Sequence, residues 1–494
     1  MRIGVNLMRL RPGVTGGHEI YVRNLLRAMF EQDSRNTYYL ITAPWNHQEL
    51  DFGPGPYQRI CLELTPPRPG MFRRLSARLR RSHWDVYRCA VGLNLDLWLC
   101  PMTDLEPRYI DIPSAIIVAD IQHEFYPHFF ALEELRQRQL TVKPSCQLAT
   151  GLIAVSEFVR RNLIERYELE EKKVYRIYGA APPEFNPQTA RESWPLVADR
   201  YGLEAGYLFY RADTWPHKNH EVLLLALQRL SKRGLTPRLV LAGRQTIPLE
   251  SLLDLAQQVG CRDQLLHLGD VEGPHLAGLY HGAACLVFPS LFQASGIPLL
   301  EAMASGCAVA GSDMGAIPEV IGDAGLMFDT RNPDSIADAL ERILRDASLR
   351  SQLVEKGFRK AAKFGWQNSA AEALEAFDII SRARAERVTA YVPPQEGVEG
   401  YYADGWAAPR MIIRRVELSR WRTMVLEGES TRHCYPLQIR VRGGSGVIDE
   451  FRLDSPCSFS RTISLPAAAP DSGLSDMQVL SSAHFVPIKL GINK

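Results

Sequence analysis

The sequence lacks paired cysteines, long apolar runs and an excess of charge of either sign. Its nine Cys are odd in number and scattered, without a C-x-x-C pair, so the sequence indicates neither a disulfide framework nor a cysteine-based metal site. Cys285 and Cys307 fall in apolar stretches, which is typical of small buried hydrophobic residues. This pattern predicts a reduced, cytoplasmic protein.

No apolar run approaches the roughly 18 residues of a membrane span. The first residues, MRIGVNLM, have neither the apolar core nor the cleavage site of a signal peptide. Because 57 basic side chains face 56 acidic ones, the chain has no global field that would attract nucleic acid, and we expect no nucleic-acid partner. Any anionic ligand must therefore be bound by a local cluster of residues.

Short apolar runs alternate with stretches of helical period, and this alternation occurs twice. The first series extends from RIGVNL (2–7) to VYRIYG (174–179), and the second from YLFYRA (207–212) to GLMFD (325–329). Such a pattern predicts parallel sheets covered by helices on both faces. We therefore expect an α/β protein with two facing, doubly wound Rossmann-like domains. The predicted domains are residues 1–190 and 191–385.

Two segments interrupt this alternation. Residues 181–195 are rich in Pro and lack periodicity, so they are interpreted as a linker between the two domains. After about Arg384 the composition changes, and segments such as PLQIRVRGG and VIDEFRL alternate with period two. This pattern predicts an accessory β-sandwich-like domain over residues 398–494.

Basic residues follow strands of the second predicted domain. Arg211 and Lys218 come after the strand that begins the domain, and Arg244 follows the next strand. Ligands of open α/β sheets bind beyond the carboxyl ends of the strands. A single exposed cation is more often only solubilising, but three at strand ends indicate a shared site for an anion such as a diphosphate.

The stretch SLFQASGIPLLEAM (290–303) predicts the start of a helix that binds an anion. Ser295, Gly296 and Ile297 would present free backbone N–H groups where the helix dipole is positive. Glu301, one turn further, would suit the vicinal hydroxyls of a ribose. Alone, the stretch would favour a capped helix with a solvated Glu.

A glycine-rich segment follows the first strand. RPGVTGGHEIYVRNLL (11–26) contains Gly13, Gly16 and Gly17 ahead of a predicted helix, which permits close approach of backbone to a ligand. The spacing is not G-x-G-x-x-G, so the segment alone is weak evidence for a dinucleotide site.

Together these segments resemble the family-4 retaining glycosyltransferases of GT-B fold. The resemblance covers residues 1 to about 380 and also rests on VADIQHEFYPHFF (118–130), GLIAVSEFVRRNLIERY (151–167), WPHKNHE (215–221) and the long stretch 288–329. It implies that a hexose is transferred from a nucleotide-sugar donor to a glycan or glycolipid hydroxyl. The domain at 1–190 would then lie on the acceptor side, and the domain at 191–385 would bind the nucleotide sugar. The transfer would retain the anomeric configuration, need no metal or other cofactor and serve polysaccharide biosynthesis.

The resemblance also implies roles for individual residues. Lys218 would neutralise the leaving diphosphate, Glu301 would bind the ribose, and backbone from Ser295 to Ile297 would hold donor phosphate or sugar. The implied catalytic residues are Lys218, Arg211 and Asp120. The implied donor-binding residues are Gly16, Gly17, Arg244, Gln293, Ser295, Gly296, Ile297 and Glu301.

Three positions depart from the family pattern. Gln293 replaces the first Glu of E-x7-E, and Ala119 replaces a His, for which His123 is the candidate substitute. Asp213 stands where the family has Arg, so Arg211 would act instead. These departures keep a second hypothesis open, a catalytically impaired subunit that binds a sugar nucleotide or glycan. The enzyme is favoured because the Gln293 amide keeps one acceptor and two donors for sugar hydroxyls.

A basic stretch offers a membrane hypothesis. MFRRLSARLRRSHW (71–84) has five Arg among apolar residues. A basic amphipathic helix of this kind can bind the inner face of an anionic membrane peripherally, which would suit a lipid-linked acceptor. An ordinary helix with a buried apolar stripe and solvated Arg explains the pattern equally well.

Overall fold

The computed structural model describes residues 1–14, 16–62, 86, 89–107, 110, 112–246, 249–271 and 273–383, and eight strands between residues 398 and 493. The predicted basic helix at 71–84 lies outside the described residues. Within the part of the chain that is described, no helix is both long enough and apolar enough to cross a membrane.

The first domain is built on a seven-stranded parallel sheet with the order β3-β2-β1-β4-β5-β6-β7. Its strands are β1 (Arg2–Asn6), β2 (Thr37–Thr42), β3 (Tyr57–Cys61), β4 (Leu97–Cys100), β5 (Ser114–Val118), β6 (Gly151–Ala154) and β7 (Val174–Arg176). Its helices are α1 (Gly17–Gln32), α2 (Leu132–Leu148) and α3 (Glu157–Tyr167). The central strands are buried on both faces, as their continuous apolar runs predict. Sequence reasoning missed β3, because this edge strand is half exposed and has no apolar run.

The second domain has six parallel strands in the order β10-β9-β8-β11-β12-β13. Its strands are β8 (Tyr207–Arg211), β9 (Leu239–Ala242), β10 (Leu265–His267), β11 (Ala283–Phe288), β12 (Val309–Ser312) and β13 (Gly325–Phe328). Its helices are α4 (Pro187–Tyr201), α5 (His220–Lys232), α6 (Leu249–Gln258), α7 (Gly273–Gly282), α8 (Ile297–Ala304), α9 (Ile317–Ile321), α10 (Pro333–Arg345) and α11 (Ala347–Ala361). Cys285 and Cys307 are buried in its core, as expected.

The predicted linker at 181–195 is wrong for its second half, which belongs to α4. Asn186 caps this helix, since its side chain accepts hydrogen bonds from the N–H groups of Gln188 and Thr189. Pro187 occupies the first helical position, where its missing N–H costs nothing. The Asn186-Pro187 pair therefore marks the start of a helix. Sequence reasoning interpreted the prolines of this segment as a sign of a linker instead.

The last helix of the two-domain part returns to the first domain. α12 (Trp366–Arg382) follows the second sheet, yet Trp366, Phe377 and Ile380 belong to the hydrophobic core of the first domain. A Cβ on Gly151, at the start of β6, would overlap the side chain of Ile380. This close packing couples the end of the second domain to the first sheet.

The C-terminal region is antiparallel, as its period of two predicts. Five strands have the order β14-β15-β20-β17-β18 and three have the order β19-β16-β21. They are β14 (Val398–Tyr401), β15 (Ala407–Val416), β16 (Thr423–Glu429), β17 (Leu437–Gly443), β18 (Gly446–Leu453), β19 (Ser458–Ser464), β20 (Ser475–Ser481) and β21 (Val486–Asn493). The predicted fold class of two Rossmann-like domains and a C-terminal β domain is confirmed, while the exact domain limits stay predictions.

Candidate functional site

A cleft of about 620 Å³ lies between the two parallel sheets. It is lined by residues that follow the carboxyl ends of strands, as the strand-end rule predicts. The predicted site residues that line it are Gly16, Gly17, Asp120, Arg211, Lys218, Arg244, Gln293, Ser295 and Ile297. Gly296, Glu301 and His123 are not among the lining residues.

Lys218 and Gln293 form a hydrogen-bonded pair in this cleft. Nζ of Lys218 donates to Oε1 of Gln293 over 2.8 Å. Because an ammonium group only donates, the amide must present its oxygen to Lys218 and its NH₂ group elsewhere. A carboxylate at this position would form an ion pair instead. The amide therefore orients the cation without neutralising it.

The backbone around Lys218 is fixed by the loop that carries it. Asn219 directly precedes α5 and has a φ of 61°, and its side chain donates to the carbonyl groups of Pro289 and Thr330. The hydroxyl of Tyr210 donates to the carbonyl of Lys218 over 2.8 Å. These contacts tie the loop after β8 to the loops after β11 and β13, so the ammonium is held at the meeting point of three strand ends.

Burial lowers the pKa of Lys218 to about 8, since desolvation disfavours the ammonium form. Asp213 and Asp120 oppose the shift, and Arg211 adds to it. At neutral pH the side chain is still mainly charged. A bound polyanion would complete the environment of this poorly solvated cation.

Glu301 holds Arg211 from behind the cleft. The Glu301 side chain is 0 % exposed, and its Oε2 accepts from Arg211 Nη1 over 2.6 Å and from the Tyr280 hydroxyl over 3.0 Å. Burial raises the pKa of Glu301, and Arg211 opposes that shift. In this arrangement Glu301 anchors Arg211, whose side chain is 23 % exposed. The predicted contact of Glu301 with a ribose stays a prediction.

Arg244 connects the two domains across the cleft. Its Nη2 donates to Asp213 Oδ2 over 2.9 Å, and its Nη1 donates to the carbonyl of Gly13 over 2.6 Å. Asp213, which stands where the family has Arg, thus positions a different Arg. Gly13 belongs to the glycine-rich loop. The Arg244 guanidinium also lies close to Gly16 of this loop, where a Cβ would be 3.7 Å from Arg244 Nη2.

The predicted anion-binding helix start is present at α8. Gly296 precedes this helix with φ 73, and a Cβ there would lie 3.0 Å from Val320 Cγ2. Both the left-handed backbone and the packing require glycine. Ser295 and Ile297 line the cleft on either side of it, with the positive end of the helix dipole towards the cavity.

The first domain contributes Asp120 and a histidine that sequence reasoning did not select. Asp120 Oδ1 accepts from the N–H of Gln122 over 3.0 Å and from Arg138 Nη1 over 3.3 Å. The candidate substitute His123 is 2 % exposed and does not line the cleft. His18 does line it. The only sequence signal for His18 was its place directly after the glycine pair.

The cleft is therefore lined by several cations, by carboxylates and by other hydrogen-bonding groups. Within the described residues, no three His, Cys, Asp or Glu side chains come together in a way that would hold a metal ion. Three basic side chains of the second domain, Arg211, Lys218 and Arg244, and the start of α8 line the same cavity. This arrangement suits a ligand that carries two phosphates and a polyhydroxyl group.

Known proteins that are similar to this chain include glycosyltransferases. Residues 204–360 match the family model described as Glycosyl transferases group 1. O-antigen chain mannosyltransferase B of Escherichia coli is 28% identical over 255 residues, which are 51% of this chain and 67% of that protein. Serotype-specific mannosyltransferase WbdA of Escherichia coli is 32% identical over 317 residues, which are 62% of this chain and 36% of that protein.

A solved structure shares the fold. HepE of Anabaena, in complex with UDP and glucose, matches with a TM-score of 0.59 at 14% identity, covering 77% of this chain and 100% of that one. The chain spans about two thirds of the first relative and about one third of the second. The predicted GT-B fold is confirmed, and the predicted glycosyltransferase assignment is confirmed for the domain at 204–360. The assignment of the chain to family 4 stays a prediction. Residues 204–360 form a glycosyltransferase group 1 domain, and the chain carries it within a GT-B fold.

Proposed function

We propose that this chain transfers a hexose from a nucleoside-diphosphate sugar to a hydroxyl of a glycan or glycolipid, with retention of anomeric configuration. The observation that carries the proposal is the convergence of Lys218, Arg211 and Arg244 on one interdomain cleft that also contains the start of α8. Negative charge grows on the leaving diphosphate as the bond to the sugar breaks. Cations and N–H groups that are already in place stabilise that charge.

The relatives support mannose as the hexose and a growing polysaccharide as the acceptor, because both Escherichia coli proteins are named mannosyltransferases and one is named for the O-antigen chain. In a transfer with retention, an oxygen of the leaving phosphate takes the acceptor proton, so the proposal requires no protein base. It also assigns the charge-stabilising role to side chains and requires neither a metal ion nor another cofactor. A cytoplasmic location and a peripheral membrane contact through 71–84 stay predictions.

The test is incubation of the purified chain with GDP-mannose, UDP-glucose and UDP-N-acetylglucosamine, with and without mannose-containing oligosaccharides. We expect one donor to be consumed and its sugar to appear on the oligosaccharide, with the product linkage of the same anomeric configuration as the donor. Tight binding of a donor without hydrolysis or transfer to any acceptor would contradict the proposal and favour a sugar-nucleotide-binding subunit.

Gln293→Glu should alter the pH dependence of diphosphate binding. A carboxylate next to Nζ favours the ammonium form, so the pKa of Lys218 should rise from about 8. In the wild type, affinity for GDP or UDP should fall as pH rises through 8, because the ammonium loses its proton. In the variant this fall should begin at higher pH.

At pH 7 the same variant should bind the diphosphates about tenfold more weakly, because an ion pair between Lys218 and the introduced carboxylate would compete with the phosphate. Calorimetric titration with GDP and UDP between pH 7 and 9 measures both effects. Gln293→Ala is the matched control, since it removes the amide without adding charge. Identical pH profiles for all three proteins would show that Lys218 does not contact the diphosphate.

A further inference from the structure

His18 lines the cleft, and its imidazole has one buried ring nitrogen without a hydrogen-bond partner. His18 lies in the first turn of α1 and lines the cavity beside Asp120. Its Nε2 atom is buried and has no hydrogen-bond partner. A buried polar atom without a partner costs free energy and needs an explanation. His18 differs from Glu301 and His123, which also have such atoms, because only His18 is among the residues that line the cleft.

The other ring nitrogen decides the tautomer. The ring donates a hydrogen bond to the backbone carbonyl of Pro101, and because Nε2 has no partner, we assign this bond to Nδ1. Burial lowers the pKa of His18 to about 4, with Asp120 opposing the shift and Arg138 adding to it. At neutral pH the ring is therefore neutral, Nδ1 carries the proton, and Nε2 offers a lone pair.

Because the unprotonated Nε2 of His18 can only accept a hydrogen bond, its partner must be a donor. Phosphate oxygens of a bound nucleotide carry no proton at neutral pH, so they cannot donate to Nε2. A sugar hydroxyl can donate. Among the groups of a sugar nucleotide and a glycan, the hydroxyls are thus the natural partners for this atom. Arg138, which donates a hydrogen bond to Asp120, also lines the cleft and lies near enough to His18 to affect its pKa.

We propose that Nε2 of His18 accepts a hydrogen bond from a sugar hydroxyl in the cleft and so orients that sugar for transfer. The proposal rests on the proposed function and deepens it. The diphosphate would be bound by cations of the second domain, and the sugar would be positioned by an imidazole of the first.

Three variants test this role. His18→Gln places an amide near the position of Nε2, His18→Asn places one only near Nδ1, and His18→Phe keeps the ring shape without nitrogen. We expect kcat/KM for transfer to fall about ten- to a hundredfold in His18→Phe and His18→Asn, since one hydrogen bond to the substrate is lost. His18→Gln should recover most of the wild-type value. His281→Phe, at the exposed end of α7, is the control and should be unchanged.

The kinetic constants identify the sugar that carries the hydroxyl. A loss that also appears in donor hydrolysis without acceptor assigns it to the transferred hexose, and a loss confined to acceptor KM assigns it to the acceptor. Equal activity of His18→Phe and wild type would overturn the proposal, as would equal losses in all three variants, which would indicate a structural role. Thermal unfolding shows whether each variant is folded.

The proposed function and the role of His18 fail in different ways. Absence of transfer by the wild-type chain contradicts the function. In that case the affinity for GDP-mannose relative to GDP decides the role of His18. A ratio that falls in His18→Phe and returns in His18→Gln supports the contact, and a ratio unchanged in His18→Phe overturns it.

Discussion

Replacement of Lys218 by Ala is expected to lower the rate of sugar transfer about 10²–10³-fold, the usual effect of removing one preorganised group that stabilises developing charge. Nζ of Lys218 lines the cleft and is held at 2.8 Å from Gln293 Oε1. No other side chain of the described loop 212–219 can place an ammonium there. The loss should appear mainly in kcat, because the charge on the diphosphate grows as the sugar departs.

The fold of Lys218→Ala should survive. The Lys218 ammonium is desolvated, which lowers its pKa to about 8. Its removal therefore relieves the free-energy cost of burying a charge. Only Oε1 of Gln293 loses a hydrogen-bond partner. Urea unfolding should give a midpoint equal to or above that of the wild type. Lys232→Ala, at the exposed end of α5, is the matched control for loss of one positive charge. A Lys218→Ala protein that transfers sugar at a near-normal rate would remove Lys218 from the mechanism.

The sequence located the cleft better than it described the contacts inside it. Parallel strands present their carboxyl ends at one edge, so Arg211, Lys218 and Arg244 could be brought together from strand positions alone. Their partners depend on side-chain directions that no periodic pattern encodes. The bond between Lys218 and Gln293 joins loops 75 residues apart. The bridge from Arg244 to Gly13 joins residues 231 apart.

The burial of Glu301 could have been predicted from the sequence around it, but sequence reasoning missed it. Its helix, α8, is apolar almost throughout, and Leu299, Leu300, Ala302 and Met303 are all buried. A single carboxylate in such a helix is expected to be buried as well, and a buried carboxylate requires a partner. The sequence offered Arg211 as a cation at the neighbouring strand end. The ion pair between Glu301 and Arg211 could therefore have been predicted from the need of a buried carboxylate for a partner. That Glu301 does not line the cavity could not have been predicted.

The positions of His18 and His123, in contrast, could not be predicted from the sequence. Both follow strand ends of the first domain, and by sequence His123 was the preferred candidate for the cleft. The structure buries His123 beside Glu124 and places His18 at the cavity. The difference depends on the path of the short 3₁₀ helix Gln122–Glu124, which a sequence pattern of three residues does not specify.

Glu301→Ala should destabilise the folded chain by about 3 kcal/mol, because it leaves the Arg211 guanidinium partly buried without its counter-charge and the Tyr280 hydroxyl without its acceptor. The value lies at the lower end of the range for broken buried pairs, since Arg211 keeps some contact with water in the cleft. Glu301→Gln retains an acceptor and should cost about 1 kcal/mol. Urea unfolding at pH 7 measures both, with Glu375→Ala on the exposed face of α12 as the control.

The same variants separate an anchor for Arg211 from a group that binds ribose. If Glu301 anchors Arg211, then Glu301→Gln should weaken binding of inorganic pyrophosphate and of GDP by a similar factor, because the displaced guanidinium serves the phosphates in both ligands. If Glu301 accepts hydrogen bonds from ribose hydroxyls, the variant should bind pyrophosphate normally and lose affinity only for the nucleotide. Calorimetric titration with the two ligands distinguishes the outcomes. The 0 % exposure of the carboxylate and its bonds to Arg211 and Tyr280 lead us to expect the first.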